Sequence, residues 1–283
     1  MNDHIKNLNN TSLYKNDLLQ ANRDFATVGE FDPTTLTEIT GGINAIVSPT
    51  GCGKSWLLRD ILSKIHNNYD AIYLFCPTAK LQDCYDYFPK ENIYDFFNEQ
   101  LLEDIYMEQK ADMEDKKKNT KPKKPLIILD DIIDSDAYWK SKMLDKLSTQ
   151  GRPLYITVIL LSQYFSKIKQ LHRVNLRSFI GFDIDNSDEL EKFTRSFMCS
   201  TNKRCGKMLY KLITGEKKYQ CCVVLIHKNY EEISGKVKKY MADPNVKKFK
   251  IKPTGRQINI GEIKKLDPAM LPECNDVEFF YNL

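Results

Sequence analysis

The eight residues from Ser48 to Ser55 read S-P-T-G-C-G-K-S, and the chemistry of that spacing is the holding of phosphate. A glycine-rich turn leading into a helix aims several backbone N–H groups at one place, and the helix amino terminus adds its positive dipole end. Ser48, Pro49, Thr50, Gly51, Cys52 and Gly53 are expected to form this cradle. Gly51 and Gly53 supply backbone conformations that other residues resist. Lys54 is expected to reach the β- and γ-phosphates of ATP, and the Ser55 hydroxyl to coordinate Mg2+. Ser48 stands where the pattern usually has its first glycine, which leaves the phosphate-contacting half intact. The competing reading, a chance match in a surface turn, is opposed by the context: an apolar run precedes the turn and a helical pattern follows it.

Two further sets of residues point the same way. The run LIILDD ends an apolar strand in two carboxylates, Asp130 and Asp131, at the carboxyl edge of a sheet. Asp130 is expected to hold Mg2+ and Asp131 to act as general base on the attacking water. A solvated strand-end turn is the alternative, since the acidic run continues to Asp134 and Asp136. Gln163 ends the run ITVILLSQ, where a polar tip would sense the γ-phosphate or align water, and a surface glutamine is its bland counterpart. Arg152 precedes that strand and Arg173 follows it. Arg152 is the first candidate and Arg173 the second for an arginine supplied to a neighbouring subunit's site, against an ordinary surface ion pair.

The elements that must position these residues are legible in outline. Ile43 to Val47, Ala71 to Cys76, Pro125 to Leu129 and Ile156 to Leu161 read as buried strands, with a fifth at Phe179 to Phe182. Helical patterns follow the glycine loop (Trp56 to Ile65), cover residues 91–109 and run around Tyr138 to Leu147. Strands alternating with helices imply an α/β fold, a P-loop NTPase with a mostly parallel central sheet flanked by helices. Lys207 to Thr214 and Gln220 to His227 are read as a C-terminal β-hairpin around Gly215-Glu216. The expected organisation is an N-terminal tail over 1–35, mobile in its first 20 residues, an ATPase domain over 36–228 and a basic extension over 229–283. Residues 110–124, nearly devoid of apolar side chains, are read as an exposed insertion.

Composition adds limits. The net charge of +4, from 42 Lys+Arg against 38 Asp+Glu, says little about partners, but its distribution says more. Residues 236–265 carry ten Lys/Arg against Asp243 and Glu262, and residues 201–218 carry six against Glu216. Such clusters can neutralise the phosphates of double-stranded DNA without reading sequence, the alternative being a solvated basic surface. The eight cysteines form no C-x-x-C pair and read as reduced thiols of an intracellular, soluble chain. No apolar run has the length to span a membrane.

The segments S-P-T-G-C-G-K-S, IYLFCPTA, LIILDDI, GRPLYITVILLSQ and LHRVNLRSFI together resemble the genome-packaging ATPases of large DNA viruses, the poxvirus-like branch of the FtsK–HerA superfamily. The resemblance covers about Ile43 to His227, and the Gly-Arg block set a helix after the Asp-Asp strand is its most specific part. Pro153 stands where this family often has a histidine after Gly-Arg. The resemblance implies a homo-oligomeric ring that pumps double-stranded DNA into a preformed capsid. It also implies a capsid or portal-vertex protein as partner, and a place at the host-cell viral assembly site or in the virion. Two other classes stay open: a P-loop kinase, which lacks an evident arginine-rich lid here, and a nucleotide-switched binding protein. The latter wants Asn-Lys-x-Asp, and Asn202-Lys203 is followed by Arg204 and Cys205.

Overall fold

The computed structural model describes residues 2–255 apart from 39–40, 80–82, 115–120, 134, 199–202 and 227–232. The described strands are β1 (Gly29–Glu30), β2 (Gly42–Val47), β3 (Ala71–Phe75), β4 (Ile93–Tyr94), β5 (Pro125–Leu129), β6 (Thr157–Ser162), β7 (Leu176–Gly181), β8 (Gln220–Leu225) and β9 (Val237–Met241). They form one sheet in the order β1-β9-β8-β7-β2-β6-β5-β3-β4. Pairing is parallel from β7 through β4, and β8 is antiparallel to both β7 and β9. The helices are α1 (Asn2–Thr27), α2 (Thr35–Glu38), α3 (Lys54–Ile65), α4 (Glu99–Glu114), α5 (Asp136–Lys140), α6 (Lys142–Gln150), α7 (Gln170–Val174), α8 (Ser187–Phe197), α9 (Lys203–Gly215) and α10 (Ile233–Lys236).

Every residue of β2, β5, β6 and β8 is buried, as a sheet covered on both faces requires. Alternate side chains feed two cores. Ala45, Val47, Phe75, Leu129, Leu160 and Phe179 pack under Leu102, Leu144, Phe193 and Leu209 of α4, α6, α8 and α9. Ile46, Leu74, Ile128 and Leu161 pack under Leu57, Leu58, Ile61 and Leu62 of α3. The one buried amide of β2, Asn44, accepts a 2.8 Å hydrogen bond from Ser178 Oγ, so it is not left unsatisfied between strands.

Three expectations change. Lys207 to Thr214 is not a strand but part of α9, so the hairpin around Gly215-Glu216 is not formed and β8 instead pairs with β7 and β9. Leu209, Tyr210 and Ile213, at helical spacing, put a single buried face into the core, which a strand of period two would split. The N-terminal segment read as a tail is helical over Asn2–Thr27, and α1 packs on α9 with Ala21 fully buried. The helix expected over 91–109 begins only at Glu99, after a short turn at Lys90–Asn92 and β4, and it continues to Glu114. Residues 115–120 of the expected insertion lie outside the described residues.

After β9 the chain crosses α3 as a strap over residues 242–255. Its Phe249 ring meets His66 and Tyr87, and Ile251 N donates to the Tyr87 carbonyl at 2.9 Å. Among the described residues no helix is long and apolar enough to cross a membrane.

Candidate nucleotide site

The parallel order places the carboxyl ends of β2, β6 and β5 side by side, with β6 between the other two. The glycine loop leaves β2, Gln163 follows β6, and Asp130 and Asp131 follow β5. A cavity of about 320 Å³ opens there, lined by Pro49, Thr50, Gly51, Gly53, Lys54, Ser55, Trp56, Asp130, Asp131 and Gln163.

The loop has the backbone its sequence demands. Gly51 and Gly53 have φ of 78° and 95°, the left-handed region in which a side chain is strained. A Cβ added at either position would meet nothing within 4 Å, so these glycines are required by conformation and leave open space above the loop. Gly53 caps α3, no side chain caps the first turn, and no acidic residue lies in it. The helix amino terminus is therefore left open to an anion, with no carboxylate opposing its dipole end. Lys54 Nζ donates to the Ser48 carbonyl at 3.1 Å. Ser48 itself is fully buried and, like Cys52, does not line the cavity.

Asp130 is 3% exposed. Its Oδ2 accepts from the Tyr85 hydroxyl and, at 3.8 Å, from the Cys76 thiol, whereas its Oδ1 is buried without a partner. Burial pushes its carboxyl pKa up, Asp131 adds to the rise, and Tyr85 and Lys54 oppose it. Burial holds the Cys76 thiol protonated, with a pKa pushed up to about 12. Asp131 is exposed with φ of 55°, a region that Asp tolerates better than most residues. Its Oδ2 accepts from Thr78 Oγ1 at 3.2 Å. One ligand atom from each of Cys76, Asp130 and Asp131 lies within 4.8 Å of the others, an arrangement able to hold a cation. Asp130 Oδ1 is buried without a partner, and Oδ2 shares the Tyr85 hydroxyl with Ser55 Oγ, so the oxygens of Asp130 and Ser55 fit a hard oxygen-loving ion such as Mg2+.

The arginines do not join this cavity. Arg152 lies where the chain enters β6, and its backbone sits against Gly41 at the start of β2. The six residues of β2 separate it from the loop of its own chain, about 20 Å of strand. Arg177 approaches Gly42 at the same edge, and burial followed by the Arg152 charge pushes its pKa down. Arg173 lies over the Phe165 ring with its Cζ 5.2 Å from the centroid.

Residues 30–252 match the model of the Poxvirus A32 protein family. The chain belongs to that family. The α/β class and the motif resemblance to poxvirus-like genome-packaging ATPases thus stand. No curated protein matches the chain. Similar solved structures include the genome packaging NTPase B204 of Sulfolobus turreted icosahedral virus 2 with ATP-gammaS, at 12% identity and TM-score 0.48 over 71% of this chain and 97% of that one. Another is B204 of Sulfolobus turreted icosahedral virus, a DNA-packaging ATPase, at 16% identity and TM-score 0.45 over 71% and 98%. A third is the pCW3 conjugation coupling protein TcpA, at 15% identity and TM-score 0.48 over 73% and 61%.

Three side chains of this site escape a motif reading. Thr78, Tyr85 and Trp56 bear on it from outside the expected set. Trp56 fits the helical pattern as a core residue, yet it is 42% exposed at the cavity, with Nε1 donating to the Asp243 carbonyl of the strap at 3.1 Å.

Proposed function

We propose that this A32-family chain is an ATP-hydrolysing subunit of a ring that drives double-stranded DNA into a viral capsid. The observation that carries the reading is the insertion of β6 between β2 and β5, which brings Gln163 into one cavity with Lys54, Ser55, Asp130 and Asp131. A phosphate-binding site alone needs only the loop. A carboxylate and an amide facing it on adjacent strand ends are what hydrolysis adds.

In this reading the loop amides and Lys54 hold the phosphates of ATP. The Ser55 hydroxyl and Asp130 Oδ1 would hold Mg2+, which when bound offsets the charge of the phosphate oxygens. Asp131, exposed at the cavity, takes a proton from the attacking water, and Gln163 orients that water by hydrogen bonding. Arg152, some 20 Å of strand from its own loop, serves the site of the next subunit. Arg152 and Arg177 lie close enough at that edge of the sheet for the charge of Arg152 to lower the Arg177 pKa, which burial lowers first. Arg173 is the second choice, since its guanidinium already lies on Phe165.

DNA contact falls to a narrower set of cations than charge counts imply. Lys207 pairs with Glu191 at 2.7 Å, Lys211 with Asp183 at 2.5 Å and Lys239 with Glu216 at 3.0 Å. Lys217 and Lys218, and Lys247 and Lys248 of the strap, are exposed and carry the proposed contact. Membership of the family supports packaging, and the capsid or portal vertex is the proposed docking partner.

The test is ATP hydrolysis by purified protein with and without linear double-stranded DNA, across a salt series. Hydrolysis should require Mg2+ and rise with DNA, and Lys247→Glu/Lys248→Glu should flatten the salt dependence of DNA binding. Hydrolysis without any DNA binding at low salt would remove the motor and leave the ATPase.

A further inference from the structure

The turn Asp83–Tyr85 follows β3 and packs against α3. Tyr85 is 2% exposed, with its ring against Tyr87 and Phe88. Its hydroxyl donates to Asp130 Oδ2 and lies 3.5 Å from Ser55 Oγ. The preceding residue, Cys84, turns its thiol to the Ser55 side chain. Two consecutive residues of one turn therefore touch both side chains that the nucleotide reading assigns to the metal.

We propose that Tyr85 is a positioning residue for the metal site, fixing the Asp130 carboxylate so that Oδ1 is presented to Mg2+. The inference rests on the nucleotide reading given above. A carboxylate at a strand end can rotate about its last bond and exchange its two oxygens. A phenol donor on Oδ2 removes that freedom, since rotation would break a buried hydrogen bond. Oδ1 is then the oxygen with unused acceptor capacity, and it is buried with no partner. Partners of this kind, which hold a ligand without touching the metal, typically change metal affinity by about 10- to 100-fold when removed. The ordinary alternative is a core tyrosine whose hydroxyl has merely found an acceptor. That role predicts a change in stability and none in metal dependence.

Tyr85→Phe separates the two, because the ring contacts stay and only the hydroxyl goes. The readout is binding of a fluorescent, non-hydrolysable ATP analogue, titrated with Mg2+ and repeated in EDTA. The Mg2+ concentration for half-maximal enhancement should rise about tenfold in Tyr85→Phe, while binding in EDTA stays at the wild-type level. In an Asp130→Asn background the same substitution should add no further loss, a comparison that stands even if Tyr85→Phe melts earlier. Equal Mg2+ half-saturation in wild type and Tyr85→Phe would overturn the positioning role and leave the nucleotide site standing. Binding by the wild type that is indifferent to Mg2+ would overturn the metal assignment itself.

Discussion

Lys54 Nζ donates to the carbonyl oxygen of Ser48 at 3.1 Å, so the phosphate loop is closed by its own cation. The ammonium has three donors, so two remain for a phosphate beside that carbonyl. Lys54→Ala is expected to lower ATP hydrolysis by at least about 10²-fold. Its structural cost is one partly exposed hydrogen bond, about 1 kcal/mol. Steady-state hydrolysis paired with thermal melting checks both parts. Unchanged hydrolysis in Lys54→Ala would remove the site assignment.

The general-base role proposed for Asp131 predicts a variant that separates binding from turnover. Asp131 holds a left-handed backbone and a 3.2 Å hydrogen bond from Thr78, and it is exposed at the cavity. Asn tolerates that backbone equally well, so Asp131→Asn should fold and bind nucleotide within a few-fold of wild type. Hydrolysis should fall by roughly 10² to 10⁴ as the base is lost. Asp131→Val should instead cost about 1–3 kcal/mol of stability, because a β-branched residue is strained at φ of 55°. Single-turnover kinetics and denaturant melts distinguish the two variants.

How much of this was legible in the sequence depended on whether a feature is local. The loop, Asp130, Asp131 and Gln163 each end an apolar run, so a one-dimensional pattern locates them, and alternation of strands and helices implies that they meet. Tyr85 reaches Asp130 across 45 residues from a short turn with no periodicity, and only the folded chain brings them together. The stretch from Lys207 to Thr214 was ambiguous for a different reason: its apolar residues suit either period, and packing against α1 and β8 decides for the helix. The N-terminal helix buries Ala21 where it packs on α9, a contact that no local pattern announces.

Arg152 offers a test that reads assembly and chemistry together. Because its own loop lies at the far end of β2, its loss should spare nucleotide binding within the same chain. Arg152→Ala homo-oligomers should lose about 10³-fold or more in hydrolysis. Mixing them with Lys54→Ala subunits pairs an intact loop with an intact arginine at some interfaces. Partial recovery of hydrolysis on mixing is the expected outcome. Recovery with Arg173→Ala but not with Arg152→Ala would reassign the role to Arg173.

His172 gives the fold a calculable acid limit. It is fully buried, with Nδ1 2.9 Å from the Tyr138 hydroxyl and Nε2 2.9 Å from Asp145 Oδ1. Tyr138 Oη accepts from Lys169 N at 3.1 Å, which leaves its proton for Nδ1 and assigns the ring proton to Nε2. Burial is the main reason that the imidazole pKa falls to about 4, with Asp145 opposing and Lys169, ion-paired to Asp145 at 3.0 Å, assisting. The unfolded chain keeps the ordinary value near 6.5, so below that pH it binds a proton that the folded chain refuses. Stability from this group is therefore present above pH 6.5 and is lost as pH falls toward 4, by at most about 3 kcal/mol. Glu189 and Asp32, whose pKa values are lowered by hydrogen bonds from Ser166 and Thr34, add to acid loss further down. His172→Gln removes the imidazole titration while retaining an amide able to meet Tyr138 and Asp145. Its melting temperature should start lower at pH 7.5 and decline less between pH 6.5 and 4 than that of wild type. Parallel declines in the two proteins would show that His172 is not the group that titrates.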